Sequence, residues 1–394
     1  MNETLAARNA VAVSFFLNGA TFATWVARLP EVRHRLDLTN GQLGTVLLAG
    51  SVAALVGLTG AGALIERRGA ATAVRVGVTF DALGVLGIAL GTVVADSVVA
   101  VAVALFFWGL GMGVWDVAMN VEGAAVEHRV GRSIMPRFHA MFSLGSVVGA
   151  GIGVLTTLLG VPMLLVLPLS ALLILIAVQA TTGAFLPRDL EEVEHAPKGM
   201  ALAAWRERRT LMIGFMVLAL ALTEGAANDW LAIALVDGYD APAWMGVAGF
   251  TAFVSAMTVG RFFGTNLLDR FGRAATLWGT MALAAAGVLL VVYGANPALV
   301  VVGILAWGVG ASLGFPVGMS AAADDPVRAP ARVSVVSTIG YLAFLTGPPV
   351  LGFIGDQVGS LHALLLISLL LVPAALLVPF ARTPAGLRGT VSGR

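Results

Sequence analysis

Residues 62–69 read GALIERRG, and residues 265–272 read TNLLDRFG. Both segments carry an acid, an arginine and a glycine at one spacing, Glu66-Arg67-x-Gly69 and Asp269-Arg270-x-Gly272, and both join two apolar stretches. Three further pairs repeat in the same order: Asn18-Gly19-Ala20 with Glu224-Gly225-Ala226, Trp108-Gly109-Leu110-Gly111 with Trp307-Gly308-Val309-Gly310, and Arg137 and Gly145 with Arg332 and Gly340. Four ordered matches indicate an internal duplication, and such a repeat decides the fold.

The repeated segments interrupt a chain that is 58% hydrophobic and only 11% charged. Soluble domains carry roughly 25% charged residues, so this composition excludes water-soluble enzymes, nucleic-acid binders and disordered proteins. A bilayer crossing needs ~20 apolar residues, and uniformly apolar stretches of that length are helices. The sequence divides into 12 such spans: 8–28, 42–64, 72–94, 97–120, 137–158, 162–184, 210–236, 243–266, 274–295, 297–320, 331–355 and 361–381. We therefore predict an all-α integral membrane protein.

The longest polar connection separates six spans from six. It covers residues 186–209 and predicts a cytoplasmic linker between an N-terminal half, 1–185, and a C-terminal half, 210–394. Two parallel six-helix repeats are typical of transporters that rock about a central site. The first span reads as a retained helix and not as a cleavable signal peptide.

Basic residues predict the orientation. All of the 23 Lys and Arg residues fall on the side of the N-terminus, except Arg28, Arg33 and Arg35, which share one loop. The positive-inside rule then makes both termini cytoplasmic in a multi-pass protein of the cell (inner or plasma) membrane.

Several kinds of chemistry are not expected. The net charge of +1 gives no field for nucleic acid, and the absence of Cys excludes disulfides and thiolate sites. The sequence has no HExxH, GxSxG, Walker A or EF-hand pattern, so neither an enzyme nor a metal or cofactor site is expected. An intramembrane enzyme or a non-transporting receptor is the disfavoured alternative.

The two short segments resemble the signature loop of the major facilitator superfamily, Gly-x-x-x-Asp-Arg-x-Gly followed by basic residues. Gly62, Glu66, Arg67 and Gly69 fit the first copy, with Glu in place of Asp. The second copy is matched by Asp269, Arg270, Gly272 and Arg273. The resemblance implies two six-helix halves and a cytoplasmic gate, in which these loops form a charge network that holds one conformation. The alternative is ordinary solvated loop charge.

A closer resemblance lies in span 4. Asp116-Val117-Ala118-Met119-Asn120, followed by Arg137-Phe138-His139, is similar to the fucose/proton symporter branch and to a poorly characterised bacterial subgroup near it. In that branch, a carboxylate four residues before an Asn is the protonation site. The branch has a second acid in span 1, where this chain has Asn18.

Ionisable groups within a span cost at least ~2.5–3.5 kcal/mol, so they are functional candidates. Asp116 and Asn120 lie one turn apart on one helix face. A carboxylate removed from water favours its protonated form, so we expect Asp116 to couple to protons. Glu224 and Asn228 repeat the spacing in span 7, and Glu224 is the second proton-coupling candidate. The alternatives are a polar contact between helices for Asp116 and pairing with a nearby Arg or a place in the outer vestibule for Glu224.

The superfamily resemblance implies a cavity lined by spans 1, 4, 7 and 10. The candidates for solute contact are Asn18, Trp25, Asn120, His139, Asn228, Asp229 and Arg261. Alternatives stay open: Trp25 and His139 in packing, Asp229 in solvent, and Arg261 at a helix end beside the Asp269 loop. Asp81, deep in span 3, is interpreted as a structural partner.

These observations predict a monomeric secondary active transporter. Its partners are the bilayer, protons and a small polar solute, such as a sugar or related metabolite, and it works by alternating access. The alternative within this class is a proton-coupled efflux antiporter for lipophilic or toxic compounds.

Overall fold

The computed structural model describes residues 2–130, 134–187, 203–325 and 328–382. This part of the chain contains 12 helices long and apolar enough to cross a membrane, which confirms the predicted fold class. They are α1 (Asn2–Val26), α2 (Asn40–Arg68), α3 (Ala70–Val93), α4 (Val98–Val130), α5 (Met135–Leu158), α6 (Met163–Thr181), α7 (Arg208–Tyr239), α8 (243–271), α9 (273–293), α10 (Pro297–Ala322), α11 (Ala329–Val358) and α12 (Ser360–Ala381). Most of the predicted linker 186–209 lies outside the described residues.

The predicted spans and the observed helices agree except where a helix outlasts its apolar run. α4 continues to Val130, past the predicted end at residue 120. Its added turns contain Glu122, Ala124, Ala125 and Glu127, which favour helix without being apolar enough to be counted as a span. The chain after α1 also forms a short helix, Leu29–Arg35, with a proline in its first turn.

Two spans contain interruptions. A π-helical turn, Ala227–Leu231, lies within α7. α10 is broken into Pro297–Ala311 and Gly314–Ala322. Such irregularities inside membrane helices leave backbone groups that need other partners, and π-turns are frequent at functional sites.

The chain forms two compact units. Unit 1 comprises Met1–Leu190, Asp229–Val254 and Pro348–Ser360, and unit 2 comprises Glu191–Asn228, Ser255–Gly347 and Leu361–Arg394. Within the described residues the boundaries of the units fall at Asn228-Asp229 in α7, Val254-Ser255 in α8, Gly347-Pro348 in α11 and Ser360-Leu361 in α12. The division into halves 1–185 and 210–394 stays a prediction.

Unit 1 is held together by close helix packing. A Cβ atom at Gly145 of α5 would lie 1.8 Å from the carbonyl oxygen of Phe16 in α1. A Cβ atom at Gly19 of α1 would likewise lie 2.1 Å from the carbonyl oxygen of Phe142. Only glycine permits this backbone approach, which gives the Gly-rich face of α5 a packing role.

Unit 2 is joined by tryptophan hydrogen bonds. Trp307 Nε1 of α10 donates to the carbonyl oxygen of Thr223 in α7, at 3.1 Å. Trp278 Nε1 of α9 donates to the carbonyl oxygen of Ala375 in α12, at 2.9 Å. These two bonds join α7 to α10 and α9 to α12.

Candidate functional site

Asp116 and Asn120 form the polar pair that their spacing predicts. Asn120 Nδ2 donates to the Asp116 carbonyl oxygen at 2.8 Å and to its carboxylate Oδ1 at 3.3 Å. Both side chains are half-buried within α4. Within the described residues Asp116 makes no ion pair, so its charge is balanced only by an amide dipole.

The predicted cavity residues of α1 are buried in helix packing. Asn18 and Trp25 are each 1% exposed. Asn18 Nδ2 donates to the Met112 thioether at 3.7 Å, one turn before Asp116 on the same face of α4. Trp25 packs edge-on against Trp108, with ring centroids 6.3 Å apart. For Trp25 this is the packing alternative.

Asp81 is fully buried in α3 and bonded to α1. Thr21 Oγ1 donates to Asp81 Oδ2 at 3.1 Å, while Asp81 Oδ1 has no hydrogen-bond partner among the described residues. This contact agrees with the interpretation of Asp81 as a structural partner. His139 likewise makes a packing contact, edge-on to Phe15 of α1 at 5.2 Å between ring centroids.

Glu224 of α7 pairs with Arg261 of α8. Arg261 Nη2 lies 2.8 Å from Glu224 Oε2, and the two side chains are 26% and 18% exposed. The alternative for Glu224, pairing with an Arg, is therefore what the structure has. Among the described residues the ion pair of Arg261 is with Glu224 and not with the Asp269 loop, which was the alternative expected for it.

The break in α10 explains the second contact of Arg261. Pro316 has no N–H, so the carbonyl oxygen of Ser312 lacks its usual helical donor four residues on. Arg261 Nε donates to that carbonyl oxygen at 3.4 Å. One guanidinium thus joins α7, α8 and the broken turn of α10.

The repeated acid-x-x-x-Asn spacing in α7 does not repeat the contact. Asn228 and Asp229 are half-buried, and among the described residues no hydrogen bond joins Asn228 to Glu224. The π-helical turn starts at Ala227 and changes the relative direction of side chains four residues apart. Asp229 lies within the same turn, and Trp230 beside it is 2% exposed.

The two signature glycines have the same unusual backbone. Gly69 has φ 81° and ψ 162°, and Gly272 has φ 73° and ψ 169°. This region is open almost only to glycine, so the pattern Arg-x-Gly reflects a turn that no other residue makes easily. Gly62, by contrast, is an ordinary helical residue with open space around its Cα.

The charged residues of the signature loops occupy the ends of α2 and α8. Glu66 and Arg67 lie in the last turn of α2. Asp269 and Arg270 are exposed, and the Arg270 guanidinium lies 5.3 Å from the centroid of the Phe271 ring. The predicted network role of these four residues stays a prediction.

Arg273 belongs to a cluster that the sequence analysis missed. Asp324, at the end of α10 and only 5% exposed, accepts from Arg273 Nη1 and Arg209 Nη2, each at 2.6 Å. Arg209 also donates to the carbonyl oxygen of Phe380, in the last turn of α12, and to that of Arg382, just after it. The cluster therefore ties together the starts of α7 and α9 and the ends of α10 and α12, all in unit 2.

Glu207, just before α7, holds a second cluster at the same end of unit 2. Arg332 Nε donates to Glu207 Oε2 at 2.6 Å, and Arg328 Nη1 donates to Glu207 Oε1 at 3.3 Å. The hydrogen bond from Arg332 lowers the pKa of Glu207 below its ordinary value of 4.5. Both acids sit near helix ends in the sequence, and no repeat or motif distinguishes them from solvated charge.

Comparison with known sequences identifies the family. Residues 241–393 match the family described as Major Facilitator Superfamily. The chain is 31% identical over 366 residues to an uncharacterized MFS-type transporter of Yersinia pestis, and the match covers 92% of each chain.

Solved structures show the same fold. A mutant of the nucleoside transporter NupG superposes with a TM-score of 0.79 at 15% identity, covering 95% of this chain and 99% of that one. A variant of the E. coli fucose:proton symporter FucP gives 0.64 at 17% identity, covering 96% and 98%. With its 12 spans, its duplicated signature turn and these relatives, the chain belongs to the major facilitator superfamily of membrane transporters.

Proposed function

We propose that the protein is a proton-coupled secondary transporter of a small, hydroxyl-rich polar solute. The observation that carries this proposal is the Asp116–Asn120 pair within α4. An ionised carboxylate at that depth lacks a cationic partner in the described part of the chain, and it becomes neutral when it takes up a proton. A carboxylate of this kind can link the proton gradient to a change in solute affinity.

Asn120 gives the pair its second role. Its Nδ2 is engaged by Asp116, and its carbonyl oxygen remains able to accept a hydroxyl hydrogen from a solute. Protonation of Asp116 weakens its hold on the amide, which then becomes available for solute. This order couples proton binding to solute binding.

The Glu224–Arg261 pair supplies a second proton site. Protonation of Glu224 removes the charge that faces Arg261 and weakens a contact that joins α7 to α8 and, through Ser312, to α10. Loss of such a contact favours a different arrangement of these helices, as alternating access requires.

The solute class follows from polarity and from fold relatives. The amide groups and half-buried acids of this site can hydrogen-bond to hydroxyl groups of a solute, whereas an aliphatic solute would leave them without partners. One relative is named a nucleoside transporter and another a fucose:proton symporter, and both of these solutes carry several hydroxyl groups. The proposed location is the inner or plasma membrane with both termini cytoplasmic, because the basic residues concentrate in the loops on the same side of the membrane as the N-terminus.

The test begins with a thermal-shift screen on purified protein at pH 5.5 and 7.5. The panel contains sugars, polyols, nucleosides, organic acids, amino acids and lipophilic cations. A ligand that binds the folded state raises the melting temperature by mass action. We expect a neutral polyhydroxy solute to raise it, more at pH 5.5 than at pH 7.5, and to drive proton entry into proteoliposomes.

Matched variants decide the role of Asp116. Asp116→Asn should keep solute binding but lose its pH dependence and solute-driven proton entry. Asp240→Asn, which changes an exposed aspartate outside the proposed site, should behave like the unmodified protein. A rise in melting temperature with lipophilic cations alone, larger at pH 7.5, would contradict the uptake proposal and favour proton-coupled efflux.

A further inference from the structure

The first turn of α2 is completed by a carboxylate from α11. Asp356 Oδ1 accepts a hydrogen bond from the backbone N–H of Asn40 at 2.7 Å. Asp356 Oδ2 accepts from the backbone N–H of Gly41 at 2.9 Å and from Thr39 Oγ1 at 3.0 Å. All these residues belong to unit 1.

The helix α2 also has its own cap, and Thr39 Oγ1 takes part in both sets of bonds, as a donor to Asp356 and as an acceptor within the cap. Thr39 Oγ1 accepts from the N–H of Gln42, and the Gln42 side chain accepts from the N–H of Thr39. This capping box leaves the first-turn N–H groups of Asn40 and Gly41 unsatisfied. Asp356 binds these two groups, and its negative charge is favourable at a helix N-terminus.

Close backbone packing accompanies these bonds. A Cβ atom at Gly352 of α11 would lie 2.3 Å from the carbonyl oxygen of Asn40. A Cβ atom at Gly44 of α2 would lie 2.4 Å from the carbonyl oxygen of Pro348. The start of α2 and the end of α11 therefore meet with no side chain between them.

A second carboxylate makes a parallel connection. Asp237, near the end of α7, accepts hydrogen bonds from Arg33 Nη1 and from Ser360 Oγ. Arg33 lies in the short helix between α1 and α2, and Ser360 begins α12. Within unit 1, the loop after α1 is thus bonded to the ends of α7 and α11.

We propose that Asp356 and Asp237, with Thr39, the first-turn amides of α2 and Arg33, form a clasp that closes the face of the transporter opposite the N-terminus. The clasp joins the segment between α1 and α2 to the last turns of helices from the second repeat. It must open before solute can exchange on that face. This consequence rests on the proposed alternating access, but the clasp itself is a conformational claim.

The experiment measures distance and needs no solute. The natural chain has no cysteine, so His34→Cys and Gln357→Cys create the only two sites for nitroxide labels. Both positions are exposed, and neither side chain belongs to the clasp. Pulsed electron–electron double resonance then gives the ratio of long to short label separations in detergent micelles and in liposomes.

We expect the labelled parent to have a short separation as its main population. Asp356→Asn should raise the long-to-short ratio about fivefold, because loss of an acceptor at a helix N-terminus typically changes an equilibrium constant by about this factor. Asp237→Asn should act in the same direction, and the two changes together should raise the ratio further. Asp240→Asn is the matched control, an exposed aspartate of unit 1 with no hydrogen bond or ion pair among the described residues.

Equal ratios for Asp356→Asn, Asp237→Asn and the Asp240→Asn control would overturn the clasp. A parent without a short population would overturn it as well. If Asp356→Asn does not fold, the Asp237→Asn comparison decides alone. Because no solute is involved, a failed clasp leaves the proton-coupling proposal intact, and a failed proton-coupling test leaves the clasp intact.

Discussion

The ion pair between Glu224 and Arg261 allows a quantitative double-mutant cycle. Glu224→Gln leaves the Arg261 guanidinium in a membrane span without its counter-charge, and Arg261→Gln does the same to the carboxylate. Changing both residues removes both charges and leaves two amides that can bond to each other. We therefore expect the double change to destabilise the protein by less than the sum of the two single changes.

The magnitude follows from the geometry. Two unit charges about 4 Å apart attract by about 4 kcal/mol at an effective dielectric constant of about 20. Breaking a fully buried pair costs about 3–5 kcal/mol. The side chains here are 26% and 18% exposed, so water screens part of the interaction. We expect about 2–3 kcal/mol for each single change and a coupling free energy of about 2 kcal/mol.

The assay is equilibrium unfolding in mixed detergent micelles, followed by the fluorescence of the 8 Trp residues. Arg261→Lys is the charge-preserving control and should recover part of the loss. It should not recover all of it, because lysine cannot bond to Glu224 and to the Ser312 carbonyl oxygen in the same forked geometry. Strictly additive single changes, or single changes below about 0.5 kcal/mol, would refute the view that this pair holds α7 to α8.

Two further predictions concern the turn between α8 and α9 and the segment just before α7. Gly272→Ala should destabilise the protein by about 1–3 kcal/mol in the same unfolding assay, since the φ of 73° and ψ of 169° at this position suit glycine alone. Gly279→Ala, in the open interior of α9, is the control and should be neutral or stabilising. Equal effects of the two changes would contradict the strain argument. Because Arg332 lowers the pKa of Glu207, the stability contributed by that carboxylate is complete above its ordinary value of 4.5 and is lost as pH falls through the lowered value. The melting-temperature difference between the unmodified protein and Glu207→Gln should thus be constant from pH 7 to about 5 and shrink below it, and a difference that grows on acidification would reverse the assigned sign.

The sequence contains strong information about spans and about the turn between repeats. Apolar length alone predicts the number of helices, because lipid requires every backbone group to be satisfied within a helix. The spacing of Asp116 and Asn120 predicts their hydrogen bond, since residues four apart on a regular helix face each other. The glycine at Gly69 and Gly272 is explained by one backbone conformation that both copies share.

Pairings across the chain were beyond the reach of sequence patterns. Arg33, Asp237 and Asp356 look like ordinary charges near the ends of spans, and only tertiary packing brings them together. Glu224 and Asn228 have the same spacing as the pair in α4, yet the π-helical turn separates them. A π-helical turn has a hydrogen bond between residues five apart instead of four, and nothing in the local sequence marks where α7 adopts it.

The cap of α2 has a consequence for biosynthesis. Chains emerge from the ribosome N-terminus first, and Asp356 follows Thr39 by 317 residues. The start of α2 must therefore stand for most of translation without its distant acceptor. The reciprocal bonds of Thr39 and Gln42 are local and need no other part of the chain. The nascent helix is thus protected early by its own side chains, and the late arrival of α11 adds the remaining acceptor without displacing them.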